Sequence, residues 1–492
     1  MLNRRHFLNH SAVIAAAMAA LESDLTPNLY AEDTAPAAGN KGTLRVAVVG
    51  VRGRGMSHVG GFNGANGCQI VTVCDADTGV IGKAMDAVTK KNGKAPTFVQ
   101  DFRRVVEDKS IDIISIATPN HWHALMAIWA MQNGKDVYVE KPCSHNVLEG
   151  RRMVEAARKY NRICQVGTQS RSNPGMRKSI EAIHSGKIGK VHLAYGVCYK
   201  RRNSIGKTEG AQKLPATLNY DLWSGPAPVV DLKRKNLHYD WHWIWAYGNG
   251  DLGNQGVHEM DKARWGLNKS TLPKSVMSFG GRFGYEDDGE TANTQLCVFD
   301  YGDSELMFEV RGLASDSPFP ANMGGKKGSN FVGNIWYGDK GIVVCPNYNS
   351  GVVLDLDLNV VEKFSGGGDS MHFANFVEAV RARKQSHLNC DIEEGHQSAA
   401  LCHLSNISML SGTPANLADI KDIPGSMHIA AGAKRFMDHL VDNKIDLKTT
   451  RAMVGPVLMI DSKTERFMGN NAKANEMLTR EYRKGFEVPE KV

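Results

Sequence analysis

The chain has no apolar run long enough to cross a bilayer. Its longest candidate, Ala12 to Leu21, falls short of the roughly 20 apolar residues that a spanning helix requires. It has no long basic tract, although Lys and Arg outnumber Asp and Glu 59 to 52 and the formal net charge is +7. Part of that excess sits near the amino terminus and in Lys200-Arg201-Arg202, so nucleic acid is a poor default partner. The 9 cysteines are scattered, with no CxxC pair. An odd count without spacing argues against a disulfide scaffold or a zinc site, and no metal is expected. Internal repeats and low-complexity tracts are also absent. What remains is 492 residues, 42% apolar and 23% charged, an ordinary soluble composition on a chain longer than one typical core. Two domains are the expectation.

Residues 3–9 read Asn-Arg-Arg-His-Phe-Leu-Asn, and the apolar run follows. Two arginines, an apolar region and then small residues have the order of an export signal. Arg4-Arg5-x-Phe7-Leu8 resembles a twin-arginine signal, with Asn3 where Ser or Thr is usual. Cleavage is expected after Ala31, or after Ala37, making residues 1–37 signal and linker. The alternative is an amphipathic start to the mature protein. Twin-arginine machinery exports folded proteins, which suits a periplasmic protein that acquires a cofactor in the cytoplasm.

Thr43 to Val49 reads as a short strand that runs into Gly50-x-x-Gly53-x-Gly55, which opens a helix. Strand, glycines and helix together hold a pyrophosphate. Glycine admits close backbone approach, and the helix start supplies N–H groups and a positive dipole end. Arg52 and Arg54 add charge for a phosphate. The spacing is GxxGxG, weaker as a bare pattern than GxGxxG. A second strand, Gln69 to Cys74, ends at Asp75, twenty residues beyond Gly55. An acid at that offset accepts hydrogen bonds from adenosine ribose hydroxyls and repels a 2′-phosphate, which favours NAD over NADP. Asp75 could instead cap a helix, and Asp77 could share either role.

Val80 to Lys91 reads as a helix. Ile111 to Ala117 reads as an apolar strand ending in Thr118-Pro119-Asn120-His121-Trp122-His123, with a helix from His123 to Gln132. The strand Asp136 to Val139 ends on Glu140-Lys141-Pro142, because Pro142 has no N–H for a ladder. Ligands bind outside the carboxyl ends of parallel strands, which places Lys141, a tunable acid or base, at a ligand site. The alternative is an exposed loop lysine. A helix from Val147 to Tyr160 and a strand from Ile163 to Val166 complete the rhythm of a doubly wound parallel sheet over 43–168.

Beyond residue 169 the pattern changes. Gln169 to Ser185 is a polar helical region, and Lys190 to Tyr199 alternates as a strand. A dense block follows: Tyr220-Asp-Leu-Trp223, then Trp241-His242-Trp243-Ile-Trp245, then Asp251-Leu-Gly253-Asn254-Gln-Gly256-Val-His258-Glu-Met-Asp261. If 241–245 is extended, its tryptophans share one face that stacks on sugar C–H surfaces or packs inside. Glycines around Asp251, Asn254 and His258 suggest polar groups held at close backbone approach. Alternating segments from Ser275 to Leu356 predict a large, mostly antiparallel sheet with a polar outer face in a domain spanning 169–411. Such a face is a common oligomer surface. Residues 315–330, rich in Gly, Pro and Ser, read as a mobile loop. Met371 to Lys384 and Glu393 to Leu410 read as helices, and 412–492 as a C-terminal extension.

Four blocks carry a resemblance: Gly50-x-x-Gly53-x-Gly55 with Asp75, Thr118-Pro119-Asn120 with His123, Glu140-Lys141-Pro142, and Gly253-Asn254-x-Gly256-x-His258. Together they resemble the glucose–fructose oxidoreductase, inositol dehydrogenase and MocA (Gfo/Idh/MocA) family, in order from about residue 43 to 265 and more weakly to 411. The resemblance implies a Rossmann domain followed by an α/β domain with an open sheet, NAD(P)-linked chemistry on a carbohydrate, and a homo-oligomer formed through that sheet. It further implies that Lys141 and His258 are catalytic, and that the first three blocks, including Arg54, Glu140 and Lys141, hold the cofactor. Asn254, Asp251, Asp261, Trp241 and Trp243 are expected at the substrate. Many members carry Asp-x-Gly-x-His. Asn254 stands at the first position here and can orient a hydroxyl but not act as a base. Proton transfer then falls to Lys141 or His258, with Asp251 and Asp261 near in sequence. Three functions follow as expectations: hydride transfer at a sugar hydroxyl, glycoside cleavage through transient C3 oxidation and elimination, or sugar binding without catalysis.

Overall fold

The computed structural model describes residues 10–22, 42–65, 67–315, 330–420 and 427–492. Arg4, Arg5, the candidate cleavage positions Ala31 and Ala37, and residues 316–329 of the expected loop lie outside the described residues. Six strands build the first sheet: β1 (Leu44–Val49), β2 (Cys68–Cys74), β3 (Thr97–Val99), β4 (Ile113–Ile116), β5 (Asp136–Val139) and β6 (Cys164–Val166). All pairs are parallel, in the order β3-β2-β1-β4-β5-β6. β4 and β5 are buried at every position, which is why they read as mostly apolar, without polar alternation. The strand order reverses between β1 and β4. This switch point opens a crevice at their carboxyl ends, where the helices Arg54–Gly64 and Asn120–Gln132 begin.

The second sheet contains β7 (Val191–Tyr199), β8 (Ser275–Gly281), β9 (Thr294–Asp300), β10 (Glu305–Arg311), β11 (Phe331–Gly338), β12 (Ile342–Cys345), β13 (Ser350–Leu354), β14 (Val360–Ser365), β15 (Thr413–Asn416), β16 (Arg451–Val454), β17 (Leu458–Asp461) and β18 (Arg466–Phe467). Its main path runs β14-β13-β12-β11-β7-β10-β9-β8-β16-β15, with β17 on β8 and β18 on β17. Every pair is antiparallel except β7 with β10. The central strand β11 has a weak sequence signal because Gly333 and Asn334 interrupt its alternation. Asn334 turns inward, and its amide donates to the Glu259 carbonyl at 2.7 Å.

Three sequence expectations change. The outer face of the second sheet is apolar rather than polar: Leu193, Tyr195, Leu296, Met307 and Ile335 lie buried with Val13 and Ile14 of the helix His10–Glu22 and Phe436 and Leu440 of the helix Met427–Asp442. Residues 240–243 form a 3₁₀ turn, so Trp241, Trp243 and Trp245 do not line one face of a strand. The segment after residue 412 adds β15 to β18 to the sheet and then returns to the nucleotide half. There Phe486 packs edge-on to Trp122, with 5.5 Å between ring centroids, while Arg480 donates to the carbonyls of Ala246 and Trp245 in the second half.

Candidate active site

The glycine loop follows β1. Gly50 and Gly53 have φ of 76° and 57°, a region that favours glycine, and a Cβ on Gly55 would lie 1.8 Å from the Gly50 carbonyl oxygen. No atom lies within 4 Å of the Cβ position of Gly53, so the loop presents open backbone there. Asp75, at the end of β2, ties this loop down. Its carboxylate accepts from the Val51 N–H and the Asp77 N–H, both at 3.0 Å. Each oxygen keeps acceptor capacity towards the cleft that it lines. Gly50, Gly53, Arg54, Asp75, Thr118, Pro119, Asn120, His123, Glu140, Lys141, Trp241 and Asn254 all line that one cleft. A cradle of bare backbone at a helix start, with a carboxylate at the neighbouring strand end, fits a dinucleotide whose ribose carries free hydroxyls.

At the end of β5, Glu140 is a hub. Its Oε1 accepts from Arg54 Nε at 2.8 Å, His58 Nε2 at 3.1 Å and Gln169 Nε2 at 3.0 Å. Burial would raise the pKa of this carboxyl, but Arg54 and His58 outweigh it and hold it well below the usual range. Glu140 is therefore a fixed anion. Arg54 is shared between Glu140 and Asp369, whose Oδ2 lies 2.6 Å from Nη1. His123 sits between the two strand-end loops, with Nδ1 2.7 Å from the Pro142 carbonyl and Nε2 2.7 Å from that of Thr118. Asn120 donates across to Asn249 at 3.0 Å.

Lys141 reaches into the second domain, where its Nζ donates to the Asn254 carbonyl at 2.6 Å. That carbonyl belongs to a π-helical turn, Leu252–Gly256, which leads into the helix Val257–Gly266. Such turns often mark functional sites. Burial lowers the pKa of Lys141, against the pull of Glu140. Burial, followed by the Lys141 charge, pushes His258 well below the usual histidine range, so its ring is neutral near pH 7. No hydrogen bond links either His258 ring nitrogen to the described residues. Its ring stands 5.2 Å from that of Tyr348.

Not every expected residue faces the cleft. Asp251 is 1% exposed and bound to Arg202, with Nη2 2.7 Å from Oδ1. Asp261 is also 1% exposed, with Arg171 Nη2 at 2.8 Å and the Ser398 hydroxyl at 2.7 Å. Trp243 does not line the cleft but packs behind it in an apolar cluster with Trp223 and Tyr247, beneath Arg202. All three hold the scaffold rather than present a group to substrate. Trp241 does line the cleft, stacked on His242 with 3.7 Å between centroids.

The sequence reading missed the wall of the cleft supplied by residues 217–242. His238, Tyr239 and His242 line it, and Trp122 is fixed there by donating to the carbonyls of Leu222 and Trp223, each at 3.0 Å. The wall is stitched to the ribose end of the cleft. Asn219 N–H donates to the Ala76 carbonyl at 2.9 Å, Thr78 N–H to the Thr217 carbonyl at 3.0 Å, and His238 Nε2 lies 2.8 Å from Asp77 Oδ2. Histidine and tryptophan clustering was the one available signal, and it named the block without its docking partner.

Comparison with known proteins agrees with this geometry. Residues 44–168 match an oxidoreductase family with an NAD-binding Rossmann fold, and residues 177–423 match its C-terminal alpha/beta domain. A glycosyl hydrolase family 109 protein of Shewanella sp. (strain W3-18-1) is 31% identical over 180 residues, which is 34% of this chain and 39% of that protein. An alpha-N-acetylgalactosaminidase of Shewanella oneidensis is 28% identical over 178 residues, with the same shares. The chain thus spans well under half the length of these curated relatives. Among solved structures, the WlbA dehydrogenase from Bordetella pertussis in complex with NADH and UDP-GlcNAcA aligns with a TM-score of 0.54 at 20% identity, over 74% of this chain and 95% of that one. Levoglucosan dehydrogenase in complex with NADH and levoglucosan aligns with a TM-score of 0.56 at 16% identity, over 74% and 96%. At those identities the likeness is one of fold. With both halves matched in order, the chain belongs to the Gfo/Idh/MocA family of NAD-binding oxidoreductases.

Proposed function

We propose that the protein interconverts a secondary hydroxyl and a ketone on a sugar or sugar derivative. One observation carries the reading: Lys141, an amine of lowered pKa, meets Asn254 in the same cleft as the glycine loop and Asp75, and His258 lies close enough to feel its charge. A nicotinamide dinucleotide held by that loop and Asp75 supplies the hydride chemistry. The chain's own residues handle the proton and the orientation. Lys141 accepts the hydroxyl proton in the oxidising direction and returns it in the reducing one. The Asn254 carbonyl fixes the amine whether or not it is charged. Neutral His258 offers a ring nitrogen to the same hydroxyl, and Trp241 provides a flat wall for sugar C–H groups. The Arg4-Arg5 segment supports an exported, periplasmic setting.

A second reading, net glycoside hydrolysis, is favoured by the family 109 names of the curated relatives. In it, Lys141 or His258 removes the proton beside a transient ketone, the leaving group departs from the next carbon, and water adds in its place. The docked 217–242 wall suits either cycle, because it encloses the ribose end.

The test begins with protein purified after native export and denatured, with any released nucleotide identified by mass spectrometry. Sugar panels are then scored for both ketone and hydrolysis products. Lys141→Ala is expected to keep nucleotide binding and to lose roughly 10²- to 10⁴-fold in turnover. Full activity of that variant would refute the base assignment. Absence of bound nucleotide, with no binding on titration, would remove the reading altogether. Deuterium wash-in beside the carbonyl separates hydrolysis from simple oxidation.

A further inference from the structure

The helix that carries His258 also carries a fully buried carboxyl, whose pKa burial raises against the pull of Lys262. Glu259 is 0% exposed, and among the described residues neither carboxylate oxygen accepts a hydrogen bond. Its cation is Lys262, also 0% exposed, at 3.6 Å. The Nζ of Lys262 sits 4.6 Å from the ring centroid of Tyr348, and the Tyr348 hydroxyl accepts from the Gln255 amide. The same Tyr348 ring faces His258, and Gln255 follows the residue whose carbonyl holds Lys141. The fold makes room for the carboxylate: a Cβ on Gly196 of β7 would come within 3.0 Å of the Glu259 Cβ.

A buried carboxylate without hydrogen bonds costs several kcal/mol, and an ion pair in this position adds little that an apolar pair would not. What it does supply is a field at the active site. We propose that Glu259, balanced by Lys262 and held beside Tyr348, is a positioning residue whose charge helps to keep the proton on Lys141. The electrostatics agree in sign. Burial lowers the Lys141 pKa, Glu140 and Glu259 oppose that, and Arg54 and Arg202 add to it. His123, His242 and His258 also feel the Lys141 charge, and all three are held neutral by burial first. Around Glu259, the ionisable groups are Lys262 on its own helix, Tyr348 after β12 and Cys198 on β7, with Lys141 across the cleft.

The functional meaning of this proposal rests on Lys141 as the proton acceptor, so the test reads Lys141 without turnover. Full-length protein is acylated across a pH series with acetic anhydride, and Lys141 modification is quantified by peptide mass spectrometry. In Glu259→Gln the midpoint is expected to move to lower pH, with about tenfold more Lys141 modified at a pH below the wild-type midpoint. Glu259→Asp, which keeps the charge, is expected to stay near wild type. Should Glu259→Gln fail to fold, Glu259→Gln with Lys262→Met removes both charges and is expected to move the midpoint the same way by less. A midpoint unchanged in every folded variant that removes the Glu259 charge would overturn the proposal. A midpoint that moves while the pH profile of turnover stays fixed would leave this assignment standing and count against Lys141 as the base.

Discussion

Replacing His238 with alanine cuts a side-chain tie between the 217–242 wall and the ribose end of the cleft. The side chains of His238 and Asp77 are only 20% and 5% exposed, and the contact is 2.8 Å. Burial would raise the Asp77 pKa, but hydrogen bonds from Thr217, Gly79 and His238 lower it, so Asp77 is a committed anion. A hydrogen bond to a charged group contributes about 1.5–3 kcal/mol, and partial exposure favours the lower end. The two backbone bonds from Thr78 and Asn219 survive the substitution, so the wall loosens rather than detaches. At about 1.4 kcal/mol per factor of ten, release of bound dinucleotide should quicken by roughly tenfold. Stopped-flow displacement of fluorescent NADH by excess NAD measures that rate directly. Asp77→Asn keeps a side-chain oxygen for the Gly79 N–H and should give a smaller increase. Lys434→Ala breaks an exposed pair on a distant helix and should give none. Release rates in both seam variants within twofold of wild type would show that the wall does not govern nucleotide escape.

Three further outcomes follow from the geometry of other sites. Gly55→Ala should abolish saturable NADH binding while secondary structure persists by circular dichroism, because its Cβ would lie 1.8 Å from the Gly50 oxygen. Glu149, 1% exposed, has its pKa raised by burial from 4.5 to about 7. The folded state therefore holds that proton more tightly than the unfolded one, and stability should fall as pH rises from about 4.5 to 7, by up to about 3 kcal/mol. Glu149→Gln should flatten that slope in thermal melts from pH 4 to 8, and an unchanged slope would refute the assignment. Asn254→Asp would set a carboxylate where the Asn254 amide now donates to Asp251 Oδ1 at 3.4 Å. Turnover should drop and its pH profile should move, and a gain in activity would contradict the like-charge argument.

The nucleotide half was legible because its physics is local. Parallel strands buried on both faces read as apolar runs, and each ends where Gly50, Asp75, Thr118 or Glu140 breaks the run at the crevice. The second half was legible only in outline. Its strands alternate, but alternation does not say what covers the other face. Positions such as Leu193, Tyr195 and Ile335 are as apolar as those facing the inner helices, because the helices His10–Glu22 and Met427–Asp442 lie over them. Those covering helices are hundreds of residues apart in the chain, and no short window contains the match.

The same distinction explains the site. Lys141 and His258 were legible as candidates because each stands in a short pattern with a backbone reason for its place. Asp251 and Asp261 were misplaced because their partners are Arg202 and Arg171, chosen by the fold and not by proximity in sequence. That pairing also accounts for the departure at Asn254. With Asp251 already buried beside it and Glu259 buried one helical turn on, a third carboxylate would set like charge directly against Asp251, whose own cation is Arg202. An amide keeps the hydrogen bond to Asp251 and adds no charge. The residue least like the family pattern is thus the one that spares Asp251 a like charge beside it.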